Sequence, residues 1–350
     1  MRPVNYQTEI ILRKSTNGIL QIFIKPLITG TVAKTSSEEN KARAFSLFYW
    51  VVNIGAFSGK TFVPYIRQGI GLEYVNFFSS GMSFIALLFA ILLFKPFKRE
   101  DDGKSIATVI IALKKIFTTP RLIILTIIVA GFWIIQHQLY ATMPKYVIRL
   151  LGEQARPEWL ANVNPAVVVI FVVLITQWTK KWKAVSAIFA GMVIMPFSAL
   201  AMSFSHTLQG ITGIEVSMFG LFTVHPLTLM MIIGIGIQGL AECFISPRFL
   251  EYFANQAPKG EEGTYMGFSH LHSFLSALVG FILSGFLLDA YCPDPNSLPA
   301  GITELQKAAY YADAHVIWYY FVAIASVAAV ALFIFRYVTN KIDAKAAAAN

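Results

Sequence analysis

The chain has 350 residues, of which 56% are hydrophobic and only 13% charged, with a mean hydropathy of +0.61; a soluble domain carries about 25% charged residues, so a water-soluble fold is excluded. Its net charge of +9 does not point to nucleic acid, because no basic stripe is interleaved with aromatics and the Lys and Arg residues sit in short segments between apolar runs. Cys243 lies in an apolar run and Cys292 in a polar segment, settings too different for a disulfide framework or a metal site. The expected class is an all-α, multi-pass integral membrane protein.

Taken in chain order, about nine runs are long enough to cross about 30 Å of hydrocarbon. They are 17–34, 44–66, 73–97, 122–144, 161–179, 184–204, 226–247, 265–289 and 314–337. The first is the weakest, being preceded by Arg13 and Lys14 and interrupted by Lys25. The start, MRPVNYQTEIILRKS, lacks the apolar core and small-residue cleavage site of a signal peptide. The longest connection opens with KREDDGKS at 98–105 and divides the chain into a part of a first bundle (1–97), an inter-bundle loop (98–120), a six-helix bundle (121–340) and a tail (341–350) whose AKAAAAN reads as frayed.

Loop charge sets the orientation. Alternate connections hold Lys34, Lys41 and Arg43; a cluster from Lys95 to Arg121; Lys180, Lys181 and Lys183; Arg248 and Lys259; and Arg336, Lys341 and Lys345. The opposite set has Arg67, Lys145, Arg149, Arg156 and Lys307. The positive-inside rule makes the first set cytoplasmic, which puts the C-terminus inside and, with an odd span count, the N-terminus outside. A short basic N-terminus without a signal peptide is not usually exported. Either one span is miscounted or an upstream portion is absent, and both remain open at this stage.

Ionisable groups inside the runs are the candidates for function. Glu242 sits near the centre of MMIIGIGIQGLAECFISPRF (230–249), where a carboxylate facing lipid costs several kcal/mol. It should face the bundle interior or a water-filled cavity. Pro26, Pro165 and Pro247 free backbone carbonyls that protein or cavity water must satisfy, although Pro247, next to Arg248, also reads as a helix end. Asn53 and Asn164 bring amides to membrane depth, to bind solute or to join helices. Lys60 is placed to snorkel to the outer interface. His270 and His272, two apart on a helix, should point about 200° away from each other and form no metal pair. Neither a nucleophile beside a base nor a phosphate-binding glycine loop is evident, so an enzyme and ATP drive are not expected. No cofactor or metal is expected either.

Five segments, which lie along the chain in the family's order, carry a resemblance. FYWVVNIGAF (48–57), IKP (24–26), NP (164–165), AECFISPRFLEYFANQAP (241–258) and YMGF (265–268) resemble the signatures of the proton-coupled oligopeptide transporter family, part of the major facilitator superfamily. The resemblance runs from about residue 18 to the C-terminus. It implies a two-bundle helical fold working by alternating access, here without the family's first three helices and their E-x-x-E-R-F-x-Y-Y motif. One cut before the fourth helix then explains the span count, the outside N-terminus and the short first run.

The resemblance also implies roles. Glu242 matches a glutamate that binds the amino terminus of a peptide, and Lys25 a lysine used in coupling and in binding the substrate carboxylate. Asn53 and Asn164 match cavity positions that hydrogen-bond substrate. In GFWIIQHQLYATMP (131–144) the family shows F-W-x-x-x-E/D-Q with a proton-carrying carboxylate, whereas this chain has His137 there, followed by Gln138. An imidazole titrates near pH 6.5 but goes from neutral to positive, so His137 is either a substitute proton site or only a polar cavity residue. Ser269 stands where the family often has a cavity tryptophan, which should reshape the pocket. The expected function is secondary transport of a small zwitterionic, peptide-like solute, with protons as co-substrate, in a cell inner (plasma) membrane. The rival is a truncated, non-transporting fragment or scaffold.

Overall fold

A computed structural model describes residues 25–93, 106–152, 155–299 and 301–349. The helices α1 (25–35), α2 (Lys41–Gly69), α3 (Leu72–Leu93) and α4 (Ile106–Phe117) come first. They are followed by α5 (Pro120–Gln136), α6 (Met143–Leu151), α7 (Pro157–Trp178), α8 (Ala184–Ser203) and α9 (Ser205–Thr212). The rest are α10 (Pro226–Gln256), α11 (Glu262–Ser269), α12 (Leu271–Tyr291), α13 (Glu304–Tyr311) and α14 (Val316–Ala349). Proline opens α5, α7 and α10, where its missing N–H would have had no intrahelical partner anyway.

Seven helical stretches among the described residues are long and apolar enough to span a membrane, one before residue 100 and six after it. α2 is long enough at 29 residues but carries Lys41, Arg43, Lys60 and Arg67, and is not one of the seven. Residues 17–24 of the first expected run, 17–34, lie outside the described residues, as do positions 94–97 of the third. The all-helical membrane architecture follows the hydropathy; the exceptions are local and have physical causes.

Charge cut the expected span at 247 too early. α10 continues through Pro247 and Arg248 to Gln256, because Arg248, 2% exposed, is neutralised in place: Nη1 meets Glu251 Oε2 at 2.6 Å and Nη2 donates to the Thr179 and Trp182 carbonyls. Arg248 is therefore not a loop cation, nor is Pro247 a helix end. The tail is not frayed either, since α14 runs to Ala349 on a string of alanines, the best helix formers. Inside the expected inter-bundle loop, residues 106–117 form α4, packed against α11 and α5. Between α9 and α10 a small antiparallel hairpin pairs β1 (Val216–Met218) with β2 (Phe222–Val224). Its turn places Phe219 at φ 53° and Gly220 at φ 74°, the positive-φ pair that matches hairpin twist.

Packing concentrates after residue 120. α10 lies against α7, α8 and α2; α14 covers α8 and α5; α12 lies on α5. Two glycines set the α8–α10 separation. A Cβ on Gly191 would stand 2.6 Å from the Ala241 carbonyl oxygen and 2.5 Å from Ile245 Cγ1, and one on Gly234 would stand 2.7 Å from the Ser198 carbonyl oxygen. Small residues of this kind let membrane helices approach where no hydrophobic drive separates protein from lipid. Cys243 and Cys292 are both free and buried.

Candidate functional site

A cavity of about 530 Å³ lies between α1 and α2 on one side and α5, α7, α10 and the α11–α12 junction on the other. That volume suits a small solute. Lys25, Asn53, His137, Asn164 and Glu242, expected from five separate segments, all line it. A recess of about 760 Å³ lined by Arg149, His206, His225 and Lys307 lies elsewhere, among the polar connections, and takes none of these five.

Glu242, on α10, is 4% exposed and is held by donors from three other helices. Its Oε1 accepts from the Tyr49 hydroxyl of α2 at 3.0 Å; Oε2 accepts from Gln136 of α5 at 2.6 Å and from Asn164 of α7 at 3.0 Å. Gln238, one turn before Glu242 on α10, donates to Gln136 Oε1 at 2.7 Å. A carboxylate offers about four lone-pair sites, and three are taken by neutral donors. Charge-assisted bonds of this kind are the stronger class and make the buried charge tolerable. Among the described residues Glu242 makes no ion pair, so Lys25 and Glu242 are not mutual partners.

Asn53, a turn beyond Tyr49 on α2, donates to the Tyr49 carbonyl at 2.9 Å. Lys60, two further turns along, does not simply snorkel outward. Its Nζ donates to the Tyr140 hydroxyl at 3.1 Å and to the Ala161 carbonyl at 3.3 Å, and it lines the cavity on the Glu242 side.

The second neighbourhood of the cavity is basic. His137 ends α5 as the first residue of a 3-10 turn, His137–Leu139, inside the stretch Pro120–Leu151 that covers the expected span 122–144. His270 sits in a second break, between α11 and α12, where the ladder switches to i→i+3 bonds: His270 N–H to the Gly267 carbonyl and Ser273 N–H to the His270 carbonyl. This break overturns the continuous-helix geometry for 270 and 272. Their rings are 6.4 Å apart and both face the cavity. Ser269 is fully buried, its hydroxyl donating to the Met266 carbonyl at 2.7 Å, beside His270, which lines the cavity.

Tyr49, Gln136, His270 and His272 are site residues that sequence reasoning passed over. Tyr49 was within reach, being four residues from Asn53 and so on the same helix face. Gln136 is a polar group in an apolar run directly before His137. The two histidines depended on a helix break that no proline or glycine at 269–271 announces.

Residues 16–219 match the Major Facilitator Superfamily family. The chain is 22% identical over 282 residues to the multidrug resistance protein MdtH of Aeromonas salmonicida (80% of this chain, 65% of the relative). It is 21% identical over 282 residues to MdtH of Aeromonas hydrophila (80% and 65%), and 23% identical over 269 residues to MdtH of Baumannia cicadellinicola (75% and 59%). The chain thus spans about two thirds or less of the length of these relatives. With the family matched across more than half of its residues, the chain belongs to the major facilitator superfamily.

Proposed function

We propose that this chain forms the solute path of a secondary transporter in a cell inner membrane, and that the solute is small and zwitterionic, of the peptide type. The observation that carries this reading is a cavity lined at once by the carboxylate Glu242 and by the basic side chains of Lys25, His137, His270 and His272. A fixed anion and fixed cations in one low-dielectric space favour a ligand with both charges and disfavour one with either alone. A ligand ammonium takes the remaining lone-pair site of Glu242 or displaces one amide donor. A ligand carboxylate faces Lys25, with Asn53 and Asn164 as neutral hydrogen-bonding groups and His137 as a proton carrier.

Alternating access fits the way the walls are built. α2 is laid along α7, with the Trp50 indole N–H on the Val169 carbonyl at 2.9 Å and the Asn162 amide on the Thr61 hydroxyl at 2.8 Å. The same seam carries charged contacts towards its outer end, the Lys60 ammonium on the Ala161 carbonyl and the partly exposed Arg67–Glu158 ion pair at 2.8 Å, which water must take over when the seam opens.

The test is uptake by the intact protein reconstituted in lipid vesicles with an imposed pH gradient. Dialanine should accumulate, and N-acetyl-dialanine and dialanine amide, each lacking one charge, should do so at least tenfold more slowly. A second reading, export of bulky drug-like cations, is favoured by the name of the relatives and by the aromatic lining from Tyr49, Trp133 and Phe249. It wins if ethidium is moved and dialanine is not.

A further inference from the structure

We infer that the cleft between α8 and α14, at the end where α8 begins, binds an anionic phospholipid, with its headgroup on Lys183 and Arg336 and an acyl chain along α8. The cleft shares no lining residue with the solute cavity. The inference is therefore independent of which solute the protein carries.

The cleft has a volume of about 670 Å³. Ser186, Phe189 and Val193 line it from one face of α8, at helical spacing, and Trp182 and Lys183 line it just before that helix. From α14, Arg336 lies over the Phe189 ring, 5.4 Å from its centroid, and Phe333, one turn earlier, lies 6.0 Å from the same ring. Helix geometry sets the depth. Arg336 stands about 30 Å along α14 from Val316, the thickness of the hydrocarbon layer. Trp178 and Trp182, 5.5 Å apart, flank the same end, and tryptophans gather at the headgroup level. Both cations thus stand where lipid phosphates lie, and Phe189 and Val193 lead from them into the hydrocarbon.

The charge of the cleft asks for an anion. Its lining holds Lys183 and Arg336 and no carboxylate. Nearby cations have carboxylate partners: Arg248, which reaches the Trp182 carbonyl, pairs with Glu251, and Arg121 pairs with Asp343 near the end of α14. Among the described residues Lys183 and Arg336 form no ion pair. A guanidinium stacked on an aromatic ring keeps its edge of N–H donors free, and that planar fork matches two phosphate oxygens. Lys183 adds a second positive charge, and the Ser186 hydroxyl stands one turn further on.

The apolar wall decides between a free phosphate and a lipid. Phosphate alone would use only the cationic mouth and leave Phe189, Val193 and Ile194 uncovered. In a bilayer the group that covers such a wall is an acyl chain, so a molecule that satisfies both halves of the cleft carries a phosphate and a chain together. Basic pockets between membrane helices select anionic headgroups in this way. A zwitterionic headgroup brings its own ammonium, which Lys183 and Arg336 repel, whereas phosphatidylglycerol brings none. The bound lipid joins α8 to α14, and α8 in turn lies on α10, which carries Glu242.

The test is native mass spectrometry of the intact protein in detergent, titrated with dioleoyl phosphatidylglycerol or dioleoyl phosphatidylcholine. The parent should bind phosphatidylglycerol about tenfold more tightly than phosphatidylcholine or better. Lys183→Gln should weaken phosphatidylglycerol about fivefold, and Lys183→Gln with Arg336→Gln about 25-fold, because each basic side chain at the membrane surface contributes about a factor of five. Lys180→Gln with Lys181→Gln alters the same turn outside the cleft and should change the affinity less than about twofold. Where the Lys183 and Arg336 double variant does not fold, the exposed Lys183→Gln decides, together with a photoreactive acyl chain on phosphatidylglycerol, which should label α8 between 186 and 194 or Phe333 of α14. Equal affinity for the two lipids, equal losses in the two double variants, or labelling confined to other helices overturns the inference. Displacement of phosphatidylglycerol by inorganic phosphate at constant ionic strength overturns it as well, because the site would then read phosphate and not lipid.

Discussion

α3 and α10 are both apolar enough to cross a membrane, yet none of the most apolar window of α3 is buried in the protein, against 56% of that of α10. The difference lies in where their polar groups are satisfied. On α3 the Ser79 and Ser83 hydroxyls donate back to the carbonyls of Val75 and Ser79 at 2.9 Å, within their own helix. On α10, Gln238, Glu242 and Arg248 reach α5, α7, α2 and the turn after α7. A helix that meets its own polar needs is free to face lipid, whereas one that meets them across helices has its neighbours and its rotation specified. Hydropathy is blind to this distinction.

The contrast can be broken by substitution, beginning with the largest expected effect. Glu251→Ala should cost about 3–5 kcal/mol, because it strips the partner from Arg248 and leaves a buried charge uncompensated; thermal unfolding in detergent would read it, and an unchanged Tm would show that the carbonyls alone hold the arginine. Gly191→Leu should lower stability by about 1–3 kcal/mol through overpacking of the α8–α10 contact. Its counterpart Gly81→Leu on α3, where an added Cβ meets nothing within 4 Å, should leave Tm essentially unchanged. Equal effects at the two glycines would mean that α3 is buried against something, contrary to a lipid-facing helix.

Smaller effects sharpen the picture at the polar termini. Ser83→Ala should fall within about 0.5 kcal/mol of the parent. At the end of α12, the Asn296 backbone N–H, with Arg149 nearby, holds the Asp294 carboxyl below the usual carboxylate range. A lowered folded value stabilises above the unfolded pKa and is lost as pH falls through the folded one. Asp294→Asn should thus cost less than about 1 kcal/mol at neutral pH, and the difference should vanish in acid below about pH 3, measured as Tm against pH.

Much of the fold was legible because lipid imposes simple demands: length and hydropathy located most of the long helices. The errors came where protein chemistry overrode those demands. A paired Arg248 let α10 run on, and alanines carried α14 through a tail that composition made look loose. In the site, Glu242 and Asn164 stood out because buried polar groups in apolar runs must have partners, and they proved to be each other's. The basic end was hidden because helical periodicity sends residues 270 and 272 to opposite faces. Only the break at His270 turns both inward, and backbone breaks without proline leave no compositional mark.

The most direct test of the central claim, that Glu242 holds the amine of a zwitterion inside this cavity, is the initial rate of dialanine uptake into vesicles by the intact protein and by Glu242→Gln at equal folded amounts. Glutamine keeps the shape and much of the hydrogen bonding of the cage but not its charge. The account predicts a loss of at least tenfold, with the folded yield and Tm of the variant close to the parent. Uptake equal to the parent would contradict it and reduce Glu242 to a strut between the helices.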